Sequence, residues 1–327
     1  MSESGTPIIN SPFARYRSLA ILLLLMLVMR LLATVIRVPE AHVAWASLLM
    51  AALFMIVPII GLFYTSRDIF SVKESLFIVI IGILIQVAFG TLLRSFPPGF
   101  TQAFIASLGQ MGLLIWCFGL SSLLMGLIKD KNLLAPIAFF LAGFDVFLVA
   151  NPAAPTRAIL EQRPEIFESM AYSIPRVVAP NGPVGLQIGA NMGPADLLFL
   201  SLFFVAIHRF GLRANATLRW MVPVLIGYLF VVLLFGDMPL GPFSLGALPV
   251  LLPIGAVILV VNWRCFDLKR DEIIGTVLAA ALGLGLAGYG IYRASLASKA
   301  KPVAPLKKAS APTIPKLQDS PVPKSRG

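Results

Sequence analysis

Long apolar runs separated by short polar connections dominate the pattern of residues along the chain. A helix needs roughly 20 apolar residues to cross the hydrocarbon core of a bilayer. The pattern therefore predicts an all-α, polytopic bundle of about nine transmembrane helices. The predicted spans are 18–36, 43–64, 75–93, 102–127, 133–151, 186–208, 220–236, 245–262 and 273–292.

Two parts of the chain interrupt this pattern. The connection 152–185 is long, charged and rich in proline, and residues 156–172 within it are predicted to form an amphipathic surface helix. The segment 294–327 is rich in Lys, Pro, Ala and Ser, and such a composition buries too little apolar surface to fold. The chain is thus predicted to divide into N-terminal transmembrane helices (1–132), a central core (133–262), one further transmembrane helix (263–293) and a disordered basic tail (294–327).

The composition agrees with membrane residence, and it indicates that the positive net charge serves the membrane and not a nucleic acid. Of the 327 residues, 58% are hydrophobic and 13% are charged, whereas a soluble domain is usually about one quarter charged. The net charge is +11, but Lys and Arg lie between the apolar runs and in the tail. That placement is typical of anchors at anionic headgroups. We therefore expect the lipid bilayer as a partner, and no nucleic acid.

Single features inside the apolar runs predict structural roles. Gly283, Gly285 and Gly288 resemble a nucleotide-binding loop only superficially, because small residues in a membrane helix let neighbouring helices approach closely. Arg30 lies near one end of the first run and is predicted to extend its charged group to the interface.

Two acidic residues, Asp145 and Asp196, lie well inside predicted spans. An ionised carboxylate in the middle of a membrane costs at least about 2.5 kcal/mol, so such residues face protein or water and are functional candidates. Pro194, with Gly189 and Gly193, predicts an irregular helix before Asp196. Freed backbone groups at membrane depth need packed protein or water around them.

The chemistry open to these carboxylates depends on whether they meet. Two facing carboxylates can share one proton, with one acting as base on a water and the other as acid toward a carbonyl oxygen. That is the chemistry of aspartic peptide hydrolysis. Spacing alone leaves two other roles open, which are ion or proton coupling in a transporter and structural pairing with an arginine.

Around these two residues the chain resembles the presenilin and signal peptide peptidase family of intramembrane aspartyl proteases. Three motifs occur in the family's order over about residues 135–262. The segment Phe144-Asp145-Val146, followed by Asn151-Pro152, is similar to the family's Tyr-Asp span. The other two are Met192-Gly193-Pro194-Ala195-Asp196, where the family has Gly-x-Gly-Asp, and Ala247-Leu248-Pro249-Val250-Leu251, where the family has Pro-Ala-Leu.

The resemblance implies that 133–262 is a presenilin-like catalytic core with Asp145 and Asp196 as the catalytic dyad on adjacent helices. The substrate it implies is a single transmembrane helix or a signal-peptide remnant, which must unwind locally because a helix hides its amides. The residues it implies for substrate binding are Phe144, Gly193, Pro194, Ala195, Pro249, Val250 and Leu251. It implies no metal or organic cofactor, and a bacterial inner membrane as the location. Membrane partner subunits stay open.

Three positions depart from the family's motifs. Phe144 lacks the hydroxyl of Tyr, Ala195 adds a methyl group next to Asp196, and Val250 replaces an Ala. Four predicted spans precede Asp145 where the family has five, and one span follows the Pro-Val-Leu helix where the family ends. Three hypotheses follow: an intramembrane aspartyl endopeptidase, an ion- or proton-coupled transporter, and a catalytically inactive presenilin-like scaffold.

Overall fold

The computed structural model describes residues 12–68, 70–154, 169–183, 185–235, 239–240, 243–244 and 249–300. Most of these residues are helical. The α-helices are α1 (Pro12–Val35), α2 (Val43–Thr65), α3 (Val72–Leu92), α4 (Phe100–Met125), α5 (Leu134–Ala150), α6 (Pro194–Arg209), α7 (Ala214–Phe235), α8 (Leu251–Asn262) and α9 (Arg270–Ala300). Short 3-10 turns lie at Glu40–His42, Leu93–Ser95, Lys131–Leu133 and Trp263–Cys265. The strands form two antiparallel hairpins, β1 (Tyr172–Arg176) with β2 (Gln187–Met192), and β3 (Pro239–Leu240) with β4 (Phe243–Ser244).

Seven helices in the described part of the chain are long and apolar enough to cross a membrane, namely α1 to α5, α7 and α9. Their outer faces carry exposed large apolar side chains, such as Leu24 on α1, Leu84 on α3 and Leu284 on α9. Apolar surface of this kind is costly in water and costs nothing in lipid. The chain is therefore an all-α, multi-pass membrane protein. The sixth and eighth predicted spans correspond to α6 and α8, which have only 16 and 12 residues.

Helix α3 begins at a capping box that also ties it to α1. The Glu74 backbone amide donates to the Ser71 hydroxyl at 3.3 Å, and the Ser71 amide donates to the Glu74 carboxylate at 2.7 Å. This exchange satisfies two amides at the helix start. The Glu74 carboxylate also lies 3.5 Å from the Arg15 guanidinium. This ion pair joins the first turn of α3 to the first turn of α1.

Glycine brings the backbones of α5 and α9 together. A Cβ atom on Gly143 of α5 would collide with the backbone of Gly283 in α9. A Cβ atom on Gly283 would in turn lie 2.9 Å from the Phe139 carbonyl oxygen. The predicted packing role is thus confirmed for Gly283, whereas Gly285 and Gly288 face open space. Through this contact α9 supports the helix that carries Asp145.

The β1–β2 hairpin enters the helix bundle to about its middle. Tyr172, at the start of β1, donates a hydrogen bond of 3.1 Å from its hydroxyl to the carbonyl of Phe54, midway along α2. From there β1 runs toward the end of α1, where the Val178 carbonyl accepts from the Val38 amide. Strand β2 returns antiparallel and places Met192 opposite Tyr172. Helix α6 therefore begins inside the bundle.

Polar side chains of α1 and α4 bind β1 along its edge. Gln110 donates to the Ala171 carbonyl at 2.9 Å and accepts from the Ser173 amide at 3.1 Å. Arg30 donates to the carbonyl and hydroxyl oxygens of Ser173 at 2.7 and 2.8 Å. These bonds satisfy non-helical backbone at membrane depth, as a bilayer requires. The prediction that Arg30 extends to the interface is wrong, because this side chain is 1% exposed and its partner lies inside the bundle.

Three predictions of local structure need correction. The predicted span 186–208 is a strand up to Met192 and becomes helical only at Pro194, and the connection 152–185 contains strand β1. Helix α9 continues to Ala300, so residues 294–300 are helical and not part of a disordered tail. Residues 301–327, and most of the predicted amphipathic helix 156–172, lie outside the described residues.

Candidate functional site

Asp145 lies in the last third of α5, where its carboxylate meets the beginning of α8. Its Oδ2 atom accepts a hydrogen bond of 2.8 Å from the backbone amide of Leu251. Leu251 is the first residue of α8, so this amide is one of those that a helix leaves unpaired at its start. The positive end of the helix dipole also favours a negative charge there. The Pro-Val-Leu segment thus meets Asp145 through its backbone.

Asp196 lies in the first turn of α6, directly after strand β2. Gly193 is extended, with φ −63° and ψ 149°, and Pro194 is the first residue of the helix. The Gly193 amide donates to Oδ2 of Asp196 at 3.1 Å. The Cys117 thiol of α4 lies 3.4 Å from the Pro194 carbonyl oxygen and helps to hold this helix start. Asp196 therefore also lies at a helix N-terminus, which favours its charge.

The fold places the two predicted site carboxylates within electrostatic range of each other. Asp145 and Asp196 are close enough for their charges to interact, and both side chains are partly buried. In the described residues, ion pairs join Arg15 to Glu74 and Lys131 to Asp267, and neither site carboxylate has a basic partner. Within the described ranges, no arginine therefore forms an ion pair with either carboxylate. Because Asp196 follows the strand end opposite Tyr172, the pair lies inside the bundle.

Tyr228 of α7 is part of this site, and sequence reasoning missed it. Its hydroxyl donates a hydrogen bond of 2.8 Å to the carbonyl of Pro249. The phenol is also close enough to Asp145 and Asp196 for electrostatic interaction with both. It thus holds the turn that precedes α8, whose first amide, that of Leu251, donates to Asp145. The available signal was a lone Tyr inside an apolar run.

The residues that depart from the family's motifs take different places. The Phe144 ring stacks between Phe140 and Phe147 along α5, with centroid distances of 5.7 and 6.2 Å. Ala195 is exposed, so its methyl group does not fill a closed space beside Asp196. Val250 is partly buried and lies just before α8. Their roles in substrate binding stay predictions.

No protein-family model, curated protein or solved structure matches this chain. Within the part of the chain that the structure describes, no group of three or more His, Cys, Asp and Glu side chains is placed to hold a metal ion. The described side chains at the site are the carboxylates of Asp145 and Asp196, at two helix starts, and the phenol of Tyr228.

Proposed function

We propose that this chain is an intramembrane aspartyl endopeptidase that cleaves transmembrane helices or signal-peptide remnants. The observation that carries the proposal is the pair Asp145 and Asp196, which interact inside the bundle without a basic partner among the described residues. Neighbouring carboxylates are costly to ionise together, and the proposed mechanism therefore has the pair share one proton. The location that goes with this proposal is the inner membrane of a bacterium.

In the proposed reaction, the ionised carboxylate acts as the base and the protonated carboxyl group acts as the acid. The ionised carboxylate removes a proton from a water, whose oxygen attacks the carbonyl carbon of the scissile peptide bond, while the protonated carboxyl donates to the carbonyl oxygen. The tetrahedral intermediate then breaks its C–N bond: the carboxyl group that took the water's proton gives it to the leaving amine, and the other carboxylate takes a proton from a hydroxyl of the intermediate. In each carboxyl group, backbone donors hold Oδ2. These bonds hold both carboxyl groups in place, and the proposed mechanism assigns their Oδ1 atoms to the reactants.

The substrate must present an extended segment, because a helix hides its amides in its own hydrogen bonds. Strand β2 is an edge strand of its described two-stranded sheet and leads directly to Asp196. The other edge of the sheet, on β1, is bonded by Gln110 and Arg30. An unwound substrate can therefore add to β2 through backbone hydrogen bonds. The Pro249 turn leads to Leu251, whose amide donates to Asp145.

The direct test uses the full-length protein in liposomes with model transmembrane peptides. Mass spectrometry is expected to find new peptide termini, and an aspartyl-protease transition-state analogue is expected to suppress them. Ion- or pH-driven uptake without new termini would instead support a coupled transporter. Peptide binding that leaves the peptide intact would support an inactive scaffold, and either result contradicts the proposal.

Replacing Gly193 by Ala is expected to slow cleavage at least about tenfold, since a misplaced reacting group costs catalysis heavily. A Cβ atom there would lie 3.3 Å from Oδ2 of Asp196 and press on that carboxylate. The backbone of Gly193 suits Ala, so the fold should remain. Steady-state cleavage rates check this. Gly227→Ala, which adds a methyl group in open space, should cleave like the parent; equal rates for both variants would contradict the role given to Gly193.

Replacing Tyr228 by Phe is expected to lower kcat about five- to tenfold, the effect of about one net hydrogen bond. The variant loses the 2.8 Å bond to Pro249, so the start of α8 moves relative to Asp145. Because Tyr228 acts through this turn, KM should change less than kcat. The exposed Tyr292 provides the control, as Tyr292→Phe should leave both constants unchanged. An effect of Tyr228→Phe on KM alone would argue for substrate binding instead of positioning.

A further inference from the structure

A groove of about 630 Å³ lies between α1 and α2, at the end of the bundle where α1 begins and α2 ends. Its walls come from α1, α2 and the turn after α2. The two helices run in opposite directions here. Polar residues at the start of α1 and after the end of α2 therefore share one rim, and apolar residues line the rest.

The rim carries two guanidinium groups and one carboxylate, from Arg17, Arg67 and Asp68. The Arg67 guanidinium stacks on the Tyr64 ring, with Cζ 4.5 Å from the centroid, which leaves its N–H edge available to an acceptor. The Ser18 hydroxyl donates to Asp68 at 2.8 Å. Neither arginine forms an ion pair with a described residue. The rim thus has one excess positive charge, which matches one phosphodiester.

The wall below the rim is apolar and open toward the lipid. Ile21 and Leu25 follow Arg17 at one-turn intervals on α1, and Ile60 faces them from α2; all three are exposed. The Leu22 side chain forms the floor, where glycine at position 61 lets it approach α2. From residue 17 to residue 25 a helix rises about 12 Å. That is close to one leaflet of a hydrocarbon core roughly 30 Å thick.

We propose that this groove binds one anionic glycerophospholipid, independently of the proposed protease activity. The phosphate lies between Arg17 and Arg67, and an acyl chain follows the ridge of Ile21 and Leu25. Basic pockets between transmembrane helices are a known way to hold anionic headgroups. The positive rim and the apolar wall together favour an anionic lipid. A free phosphate would not contact the apolar wall, and a lipid without net charge would not neutralise the rim.

The test measures lipid binding to the full-length protein in detergent by native mass spectrometry. Its probes are dioleoylphosphatidylglycerol, dioleoylphosphatidylcholine and glycerol phosphate. The double variant Arg17→Gln/Arg67→Gln is expected to bind phosphatidylglycerol about thirtyfold more weakly. The control Arg94→Gln/Arg219→Gln removes the same charge from exposed sites elsewhere. Ile21→Trp fills the acyl part of the groove and should weaken phosphatidylglycerol binding while both arginines remain.

Selective binding of phosphatidylglycerol that both groove variants lose and the control keeps would support the proposal. Equal loss in the control, or binding of phosphatidylcholine within threefold of phosphatidylglycerol, would overturn it. Glycerol phosphate binding as strongly as the lipid would show a phosphate site without an acyl groove, and this too would overturn the proposal. If circular dichroism shows that the double variant does not fold, Ile21→Trp becomes the deciding variant. Undiminished binding of phosphatidylglycerol by Ile21→Trp would then overturn the proposal.

Discussion

Single replacement of Asp145 or Asp196 by Asn is expected to reduce cleavage of a transmembrane peptide by about 10²–10⁴-fold, the usual contribution of general acid–base catalysis. Asn keeps the shape of the side chain and can still accept the bond from Leu251 or Gly193. It cannot hold or release the shared proton. Cleavage rates in liposomes, measured with each variant at equal protein content, give the magnitude.

A control for this result replaces a carboxylate outside the site. Asp271 is exposed in the first turn of α9, so Asp271→Asn should cleave at the parent rate. Accessibility of engineered cysteines at both ends of the bundle checks that each variant inserts normally. Because the two acids share one task, the double variant Asp145→Asn/Asp196→Asn should be little slower than either single variant. Cleavage within threefold of the parent by either single variant would rule out the dyad.

Replacing Gly283 by Leu is expected to lower stability by about 1–3 kcal/mol or more, as overpacking of a close-packed contact does. Even a Cβ atom at this position would lie 2.9 Å from the Phe139 carbonyl oxygen of α5, and a full side chain would separate α9 from α5. Asp145 lies on the same helix as Phe139, so we also expect Asp145 to shift relative to α8. Thermal unfolding in detergent measures the change.

The matched control for this variant is Gly285→Leu on the same helix. Gly285 has nothing within 4 Å of its Cβ position, so the larger side chain meets lipid or detergent at little cost. Both changes raise the hydrophobicity and helix propensity of α9 equally. A difference in stability between the two therefore reports the contact with α5. Equal unfolding temperatures would mean that α9 does not pack on α5 through Gly283.

The candidate site shows which of its parts could be predicted from the chain alone. Asp145 and Asp196 stand out because a carboxylate inside an apolar run is costly wherever the chain folds. Tyr228 does not stand out, because a phenol is common in membrane helices and its role depends on the Pro249 carbonyl, 21 residues away. Similarly, Arg30 looks like an interfacial residue until Ser173, 143 residues away, supplies its partner inside the bundle.

Membrane residence, the helical architecture and the two acidic candidates were determined by the sequence, because transfer of a side chain into lipid depends mainly on that side chain and its neighbours in the run. The strand before Asp196, the short helices α6 and α8, and the meeting of Asp145 with the Leu251 amide were decided only by the tertiary structure. Non-helical backbone survives inside a bilayer only where distant groups satisfy its hydrogen bonds. For β1 those groups are Gln110 and Arg30, which lie on helices far away in the chain. The local pattern of apolar residues around β1 therefore cannot predict them.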